Sequence, residues 1–232
     1  MSDWVWQSGE AIADDIAWLE SVGESNYGGG WEPRAGMFED NIWVLHPMYE
    51  NITPRLRGGT PGERVWWSEL WRRNGLTLGE GMTLPPGIMW IVGPDGGNQR
   101  DGPFAKEKLF LPEEDSMDAE TVEALLPRLP GGTGTVHAIW DILGAALIPR
   151  VFEENGGYER IGVHASIAEI IELTSLFVGG LRTPNNFWPE DRSWMVLTHH
   201  DLWATQVFGS TELIASLEEA PNLEVLRWSP PA

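Results

Sequence analysis

Three places in the chain carry side chains whose types and spacing could do chemistry. The first is His199-His200-Asp201. Imidazole and carboxylate groups are ordinary ligands for zinc and iron. Adjacent residues on a strand point to opposite faces, so only His199 and Asp201 could share an ion. Further ligands would have to come from elsewhere in the chain, with His46, His137 and His164 as candidates. The plainer reading is a polar exit from a strand, and no metal and no cofactor is assigned on these residues.

The second place is Glu190-Asp191-Arg192, set between Pro189 and Trp194. One carboxylate could serve as a general acid and the arginine as an anion clamp. The competing structural reading makes Arg192 part of an ion pair inside a rigid, aromatic-flanked turn. If the chain is an enzyme, its catalytic residues are expected among His199, Asp201, Glu190 and Arg192, with His46 brought in by the fold.

The third feature is a set of fourteen tryptophans. Trp67 and Trp71 are four residues apart and become neighbours on a helix, whereas Trp66 points away. Most of the fourteen must be core residues. Exposed ones could stack on a sugar or anchor a protein, and Trp67, Trp71, Trp188 and Trp203 are the candidates. Glu113, Glu114 and Asp115 open a stretch with six acids in eleven residues and no base. Such a stretch complements a helix N-terminus and could also present charge to a basic partner.

Several chemistries are absent. With no cysteine, thiol chemistry and disulfides are impossible. There is no G-x-S-x-G, H-E-x-x-H or P-loop. The loop Gly93–Pro103 lacks the alternating acids and closing glutamate of an EF-hand. Gly131-Gly132-Thr133-Gly134-Thr135 lacks the lysine of a phosphate loop, and a strand follows it where a helix start is required.

The elements that must position these residues follow from periodicity. Ile12, Ile16, Leu19 and Val22 make residues 10–22 an amphipathic helix stopped by Gly23. Residues 28–36 and 51–62 read as loops. A short strand is expected at Ile42–Leu45, a helix from Glu63 to Asn74 closed by Gly75, and a strand at Ile88–Val92. A helix over 113–129 has Ser116 and Asp118 as candidate caps. Val136–Ile142 is a strand, and 163–178 fits either type. Strands at 194–198 and 203–208, a helix capped by Ser210 and a final strand at 223–228 complete an α+β order.

Two stretches carry a resemblance. One is Ile42-Trp43-Val44-Leu45-His46-Pro47 with Arg64-Val65-Trp66-Trp67-Ser68-Glu69-Leu70. The other is Pro184-Asn185-Asn186-Phe187-Trp188-Pro189-Glu190-Asp191-Arg192-Ser193-Trp194, followed by Gly209–Ile214 and Pro221-Asn222-Leu223-Glu224. Together they resemble an uncharacterised family of acidic, Trp-rich actinobacterial proteins, with a V-L-H-P box near the N-terminus and a W-W-P-E-D-R-x-W box near the C-terminus. Phe187 departs from that pattern, as does His199-His200. The resemblance implies one composite domain and transfers no activity.

At 232 residues and 42% apolar composition the chain is long enough for a sizeable core. The expectation is a single α+β domain over residues 1–232, with a mixed or antiparallel sheet, several amphipathic helices, and residues 80–165 as a candidate insertion. Net charge is −20, which opposes nucleic acid and anionic membranes and favours a basic protein partner. No segment reads as a signal peptide or a membrane span, so a cytoplasmic location is expected. The functional expectation is a non-catalytic acidic protein that binds a protein partner in the manner of an immunity protein or antitoxin. The alternatives are a hydrolase-like enzyme centred on His199, Asp201, Glu190 and Arg192, and a carbohydrate-binding module using exposed tryptophan.

Overall fold

Alternation of apolar residues along short strands builds the centre of the molecule. In the computed structural model, the described residues are 6–26, 30–50, 62–80, 82, 85–86, 109, 112, 116–131, 134–140, 160–174, 183–199 and 202–229. The strands are β1 (Gln7–Ser8), β2 (Gly23–Asn26), β3 (Gly30–Pro33), β4 (Asp40–Leu45), β5 (Met48–Glu50), β6 (Glu63–Val65), β7 (Val136–Trp140), β8 (Ile161–Ala165), β9 (Asn186–Pro189), β10 (Met195–Thr198), β11 (Ala204–Gly209) and β12 (Val225–Leu226). The helices are α1 (Ala13–Val22), α2 (Trp67–Arg73), α3 (Ala119–Leu125), α4 (Ile167–Thr174) and α5 (Thr211–Glu218).

Eight strands form one sheet in the order β1-β8-β7-β9-β10-β11-β4-β12, with every pairing antiparallel. This is an α+β fold. Both faces of the sheet are covered, which is why its central strands lack exposed polar positions. On one face, Val136, Ala138, Val163, Phe187, Val196, Val207 and Val44 pack against α3, α4 and α5. On the other, Ile139, Trp188, Met195, Leu197 and Phe208 pack under α1 and the β2–β3 hairpin. Farther along that second face, Trp43, Leu45 and Ala204 pack under α2 and the β5–β6 hairpin.

The local signals explain most elements. Asp118 caps α3 by accepting from Thr121 N at 2.7 Å, and Ser210 caps α5 through Leu213 N at 3.3 Å. The chain after α2 turns at Gly75, whose φ of +75° suits glycine. Helix α2 has a remote cap: both carboxylate oxygens of Glu224 accept its first N–H groups, from Trp67 and from Ser68, the latter at 2.7 Å.

Several expectations need correction. Residues 30–33, read as loop, form β3. The helix expected from Glu63 starts only at Trp67, because Glu63–Val65 pairs with β5. The ambiguous 163–178 segment splits into the end of β8 and α4, and β9 was hidden in the aromatic-proline box. The strand expected at Ile88–Val92 and the loop 93–103 lie outside the described residues. Among the described residues, no helix is long and apolar enough to cross a membrane.

Candidate metal centre

Strands β7 and β8 each send one side of their alternation into the helix-covered core, which forces the intervening residues to the other face. Val136, Ala138 and Trp140 face the first core; His137 therefore faces the second side. In β8, Ile161, Val163 and Ala165 do the same, leaving Gly162 and His164 opposite. The register pairs His137 with His164, and His137 with Trp188 on its other flank. The two imidazole centroids are 4.2 Å apart. The Trp188 ring stacks on His137 at 5.6 Å with an interplanar angle of 11°, which fixes the orientation of that imidazole.

Helix α1 crosses above this row. Its buried stripe is Asp15, Trp18, Leu19 and Val22, with Ile12 buried just before its first turn, so a carboxylate occupies a position that the 3.6-residue period assigns to the interior. Asp15 is 8% exposed. Its Oδ1 accepts from His137 Nδ1 at 2.7 Å, and its Oδ2 accepts from His164 Nε2 at 2.7 Å. Gly162 lets the chain come this close: a Cβ there would lie 2.7 Å from Ile139 Cδ1 and 3.0 Å from Ile12 Cγ2. Burial pushes the Asp15 carboxyl up, but the two imidazole hydrogen bonds outweigh it and hold the group below its ordinary value.

The donor atoms of Asp15, His137 and His164 all lie within 4.8 Å of one another. Ligand atoms around a tetrahedral ion with bonds of about 2.0–2.1 Å stand roughly 3.3 Å apart, so small side-chain rotations reach that spacing. His164 is the outward member, with its side chain 35% exposed against 19% for His137. Two imidazoles and one carboxylate suit a transition ion, and among the described residues no fourth His, Cys, Asp or Glu joins the group. Beside the cluster, Trp18 lies against Trp188 at 4.7 Å, and the Arg192 guanidinium sits 5.0 Å from the Trp18 ring.

Of the catalytic candidates His199, Asp201, Glu190 and Arg192, Arg192 comes near this cluster, through its contact with Trp18. His199 is half-buried where β10 ends, whereas Glu190 and Arg192 are exposed in the β9–β10 turn, at the opposite end of that strand. These residues therefore do not share a cleft. His200 and Asp201, like Glu113, Glu114 and Asp115, lie outside the described residues. His46 is fully buried with Nε2 2.9 Å from Thr205 Oγ1. Thr205 in turn lies 2.9 Å from Thr198 Oγ1, and both threonines sit on the sheet face opposite His137. Burial pushes the His46 pKa down to about 3.

Trp67, Trp71, Trp188 and Trp203 are 0%, 2%, 1% and 1% exposed. Trp67 and Trp71 do stack on each other as neighbours, at 5.6 Å and 17°, but inside the core. None of the four offers a ring to solvent, so the aromatic surface expected of a sugar- or protein-binding module is not built from them.

Asp201, the acid that the sequence groups with His137 and His164, lies outside the described residues, and the acid that meets both histidines is Asp15. The available signal was Asp15 itself, since a carboxylate on a helix's apolar stripe needs a buried partner. Comparison with protein-family models, with curated proteins and with solved structures finds no match.

Proposed function

We propose that this protein acts through a single divalent transition-metal ion held by Asp15, His137 and His164. The supporting observation is the convergence of these three ligand types, from α1, β7 and β8, within 4.8 Å. A three-ligand set with one half-exposed imidazole resembles a catalytic site more than a closed structural one, which would have four protein ligands. An ion there would polarise a water or a substrate oxygen, so the reaction class best supported is metal-assisted hydrolysis. Asp15 supplies negative charge, Trp188 holds the His137 ring plane, and Arg192 stands close enough to the aromatic pair to meet an anionic group of a substrate.

The experiment is to strip the protein with a chelator, reload it with Zn²⁺, and assay ester, phosphoester and amide hydrolysis. The reading requires an activity that is absent from the stripped protein, returns with one equivalent of metal, and is lost in His164→Gln. Tight metal binding without any hydrolysis would remove the reaction class and keep the site.

A second reading, an acidic protein that recognises a basic partner, is favoured by the net charge of −20. It calls for an association rate that falls steeply between low and high salt.

A further inference from the structure

On the same sheet face as the histidines, but beyond the β2–β3 hairpin, the covering layer parts. Two adjoining hollows of about 250 Å³ and 230 Å³ open there above β11 and β4. Both are lined by Glu32, Trp43, Gln206 and Trp228. Together they fall within the size range of small-molecule sites, roughly 300–1,000 Å³. Phe38 and Phe208 border the larger one, and Leu197 and Leu202 the smaller.

The floor carries two polar side chains. Trp43 and Gln206 are direct cross-strand partners, so their side chains stand side by side with Cβ atoms about 5 Å apart. They are 5% and 6% exposed. The indole Nε1–H of Trp43 and the amide Oε1 of Gln206 are both buried, and neither has a hydrogen-bond partner. Gln206 uses its other amide atom instead, with Nε2 donating to Asn41 Oδ1 at 2.9 Å. A donor and an acceptor that could have satisfied each other are thus held apart. Leaving buried donors and acceptors unpaired is costly, and a ligand able to pair with both would remove that cost. Trp228 adds an aromatic wall, half-buried and edge-on to Trp43 at 6.4 Å.

We infer that this cleft binds a small, neutral, planar ligand carrying an adjacent carbonyl acceptor and N–H donor, as a primary or cyclic amide does. The ligand carbonyl accepts from Trp43 Nε1, its N–H donates to Gln206 Oε1, and its plane lies against Trp228. A carboxylate fits less well because it offers no donor to Gln206 Oε1, although Arg34 lines the cleft beside Glu32 and Asp40. The site is separate from the metal centre and does not depend on it.

The test uses the full chain, ¹⁵N-labelled, with the Trp43 indole N–H resonance as the probe, assigned through Trp43→Phe. Benzamide and 2-pyridone are titrated against N,N-dimethylbenzamide and benzoate. The expected result is saturable movement of the Trp43 signal by the first two in the millimolar range. The dimethyl and carboxylate controls should bind at least tenfold more weakly, and Gln206→Met should lose at least tenfold in affinity for benzamide. The inference is overturned if benzamide and 2-pyridone leave the signal in place, or if N,N-dimethylbenzamide binds as well as benzamide. That last comparison is made on the unaltered protein, so it stands even where a variant fails to fold.

Discussion

His137 and His164 face each other across β7 and β8 with their rings 4.2 Å apart, and both turn a nitrogen to one carboxylate, that of Asp15. This ties α1 to the sheet as well as assembling a ligand set. An Asp15→Leu replacement leaves two partly buried imidazoles without their acceptor and should destabilise the protein by about 1–3 kcal/mol. Asp15→Asn, which keeps one acceptor oxygen, should cost less. Urea unfolding at pH 7.5 with chelator present checks this, and equal stability for all three proteins would mean that the contact does not tie the helix down.

The β2–β3 hairpin, which separates the metal centre from the cleft, is docked by Asn186. Its amide accepts from Trp31 N at 2.8 Å and donates to Trp31 O at 3.0 Å, as a neighbouring strand would. Replacing Asn186 with Leu leaves a buried backbone N–H and C=O unpaired, and a loss of about 2–4 kcal/mol is expected. Gly30→Ala should also be damaging, because φ there is +85° and a Cβ would run into Asn186 Oδ1. Hydrogen exchange at Trp31 N reports directly on both variants, and unchanged protection would contradict the docking role.

Acid should unfold the protein earlier than its carboxylates alone would. His46 is fully buried and its pKa lies near 3, against an ordinary value of 6.5. The folded state thus holds His46 neutral while the unfolded state protonates it. Its contribution to stability is complete above about pH 6.5 and is lost as pH falls toward 3, by about 1.4 kcal/mol per pH unit. A His46→Gln variant should show a shallower fall of stability between pH 6 and pH 4. Parallel curves for the two proteins would show that this residue is not responsible.

Helix α2 has no capping side chain of its own and relies on Glu224, far along the chain. Removing that carboxylate in Glu224→Ala should cost about 1–2 kcal/mol, with Glu224→Gln intermediate. Thermal unfolding followed by the near-ultraviolet signal of the stacked Trp67 and Trp71 gives the comparison, and a variant as stable as the parent would exclude the capping role.

What could be read in the sequence follows the range of the interactions. Asp118 and Ser210 cap the helices that begin directly after them, and Gly75 turns the chain directly after α2, so these were legible. Strand β9 was not, because Asn186-Phe187-Trp188-Pro189 has no alternation to betray it and is buried on both faces. The cap on Trp67 comes from a residue 157 positions away, and no local pattern announces it. The candidate site was half legible. His137 and His164 stand out in the sequence as candidate ligands, but grouping them requires the β7–β8 register, and Asp15 requires knowing which stripe of α1 turns inward. Burial of the tryptophans is likewise a tertiary fact: the i, i+4 spacing of Trp67 and Trp71 predicts their contact but not which side of it faces water.

The account stands most directly on Co²⁺ titration of the chelator-treated protein, read by visible absorption. It predicts one ion per chain with a ligand-field band of a nitrogen-and-oxygen site. Asp15→Asn, His137→Gln and His164→Gln should each lower affinity at least tenfold, while His199→Gln leaves it unchanged. No saturable band, or a band indifferent to all three substitutions, would contradict the assignment of a metal centre to Asp15, His137 and His164.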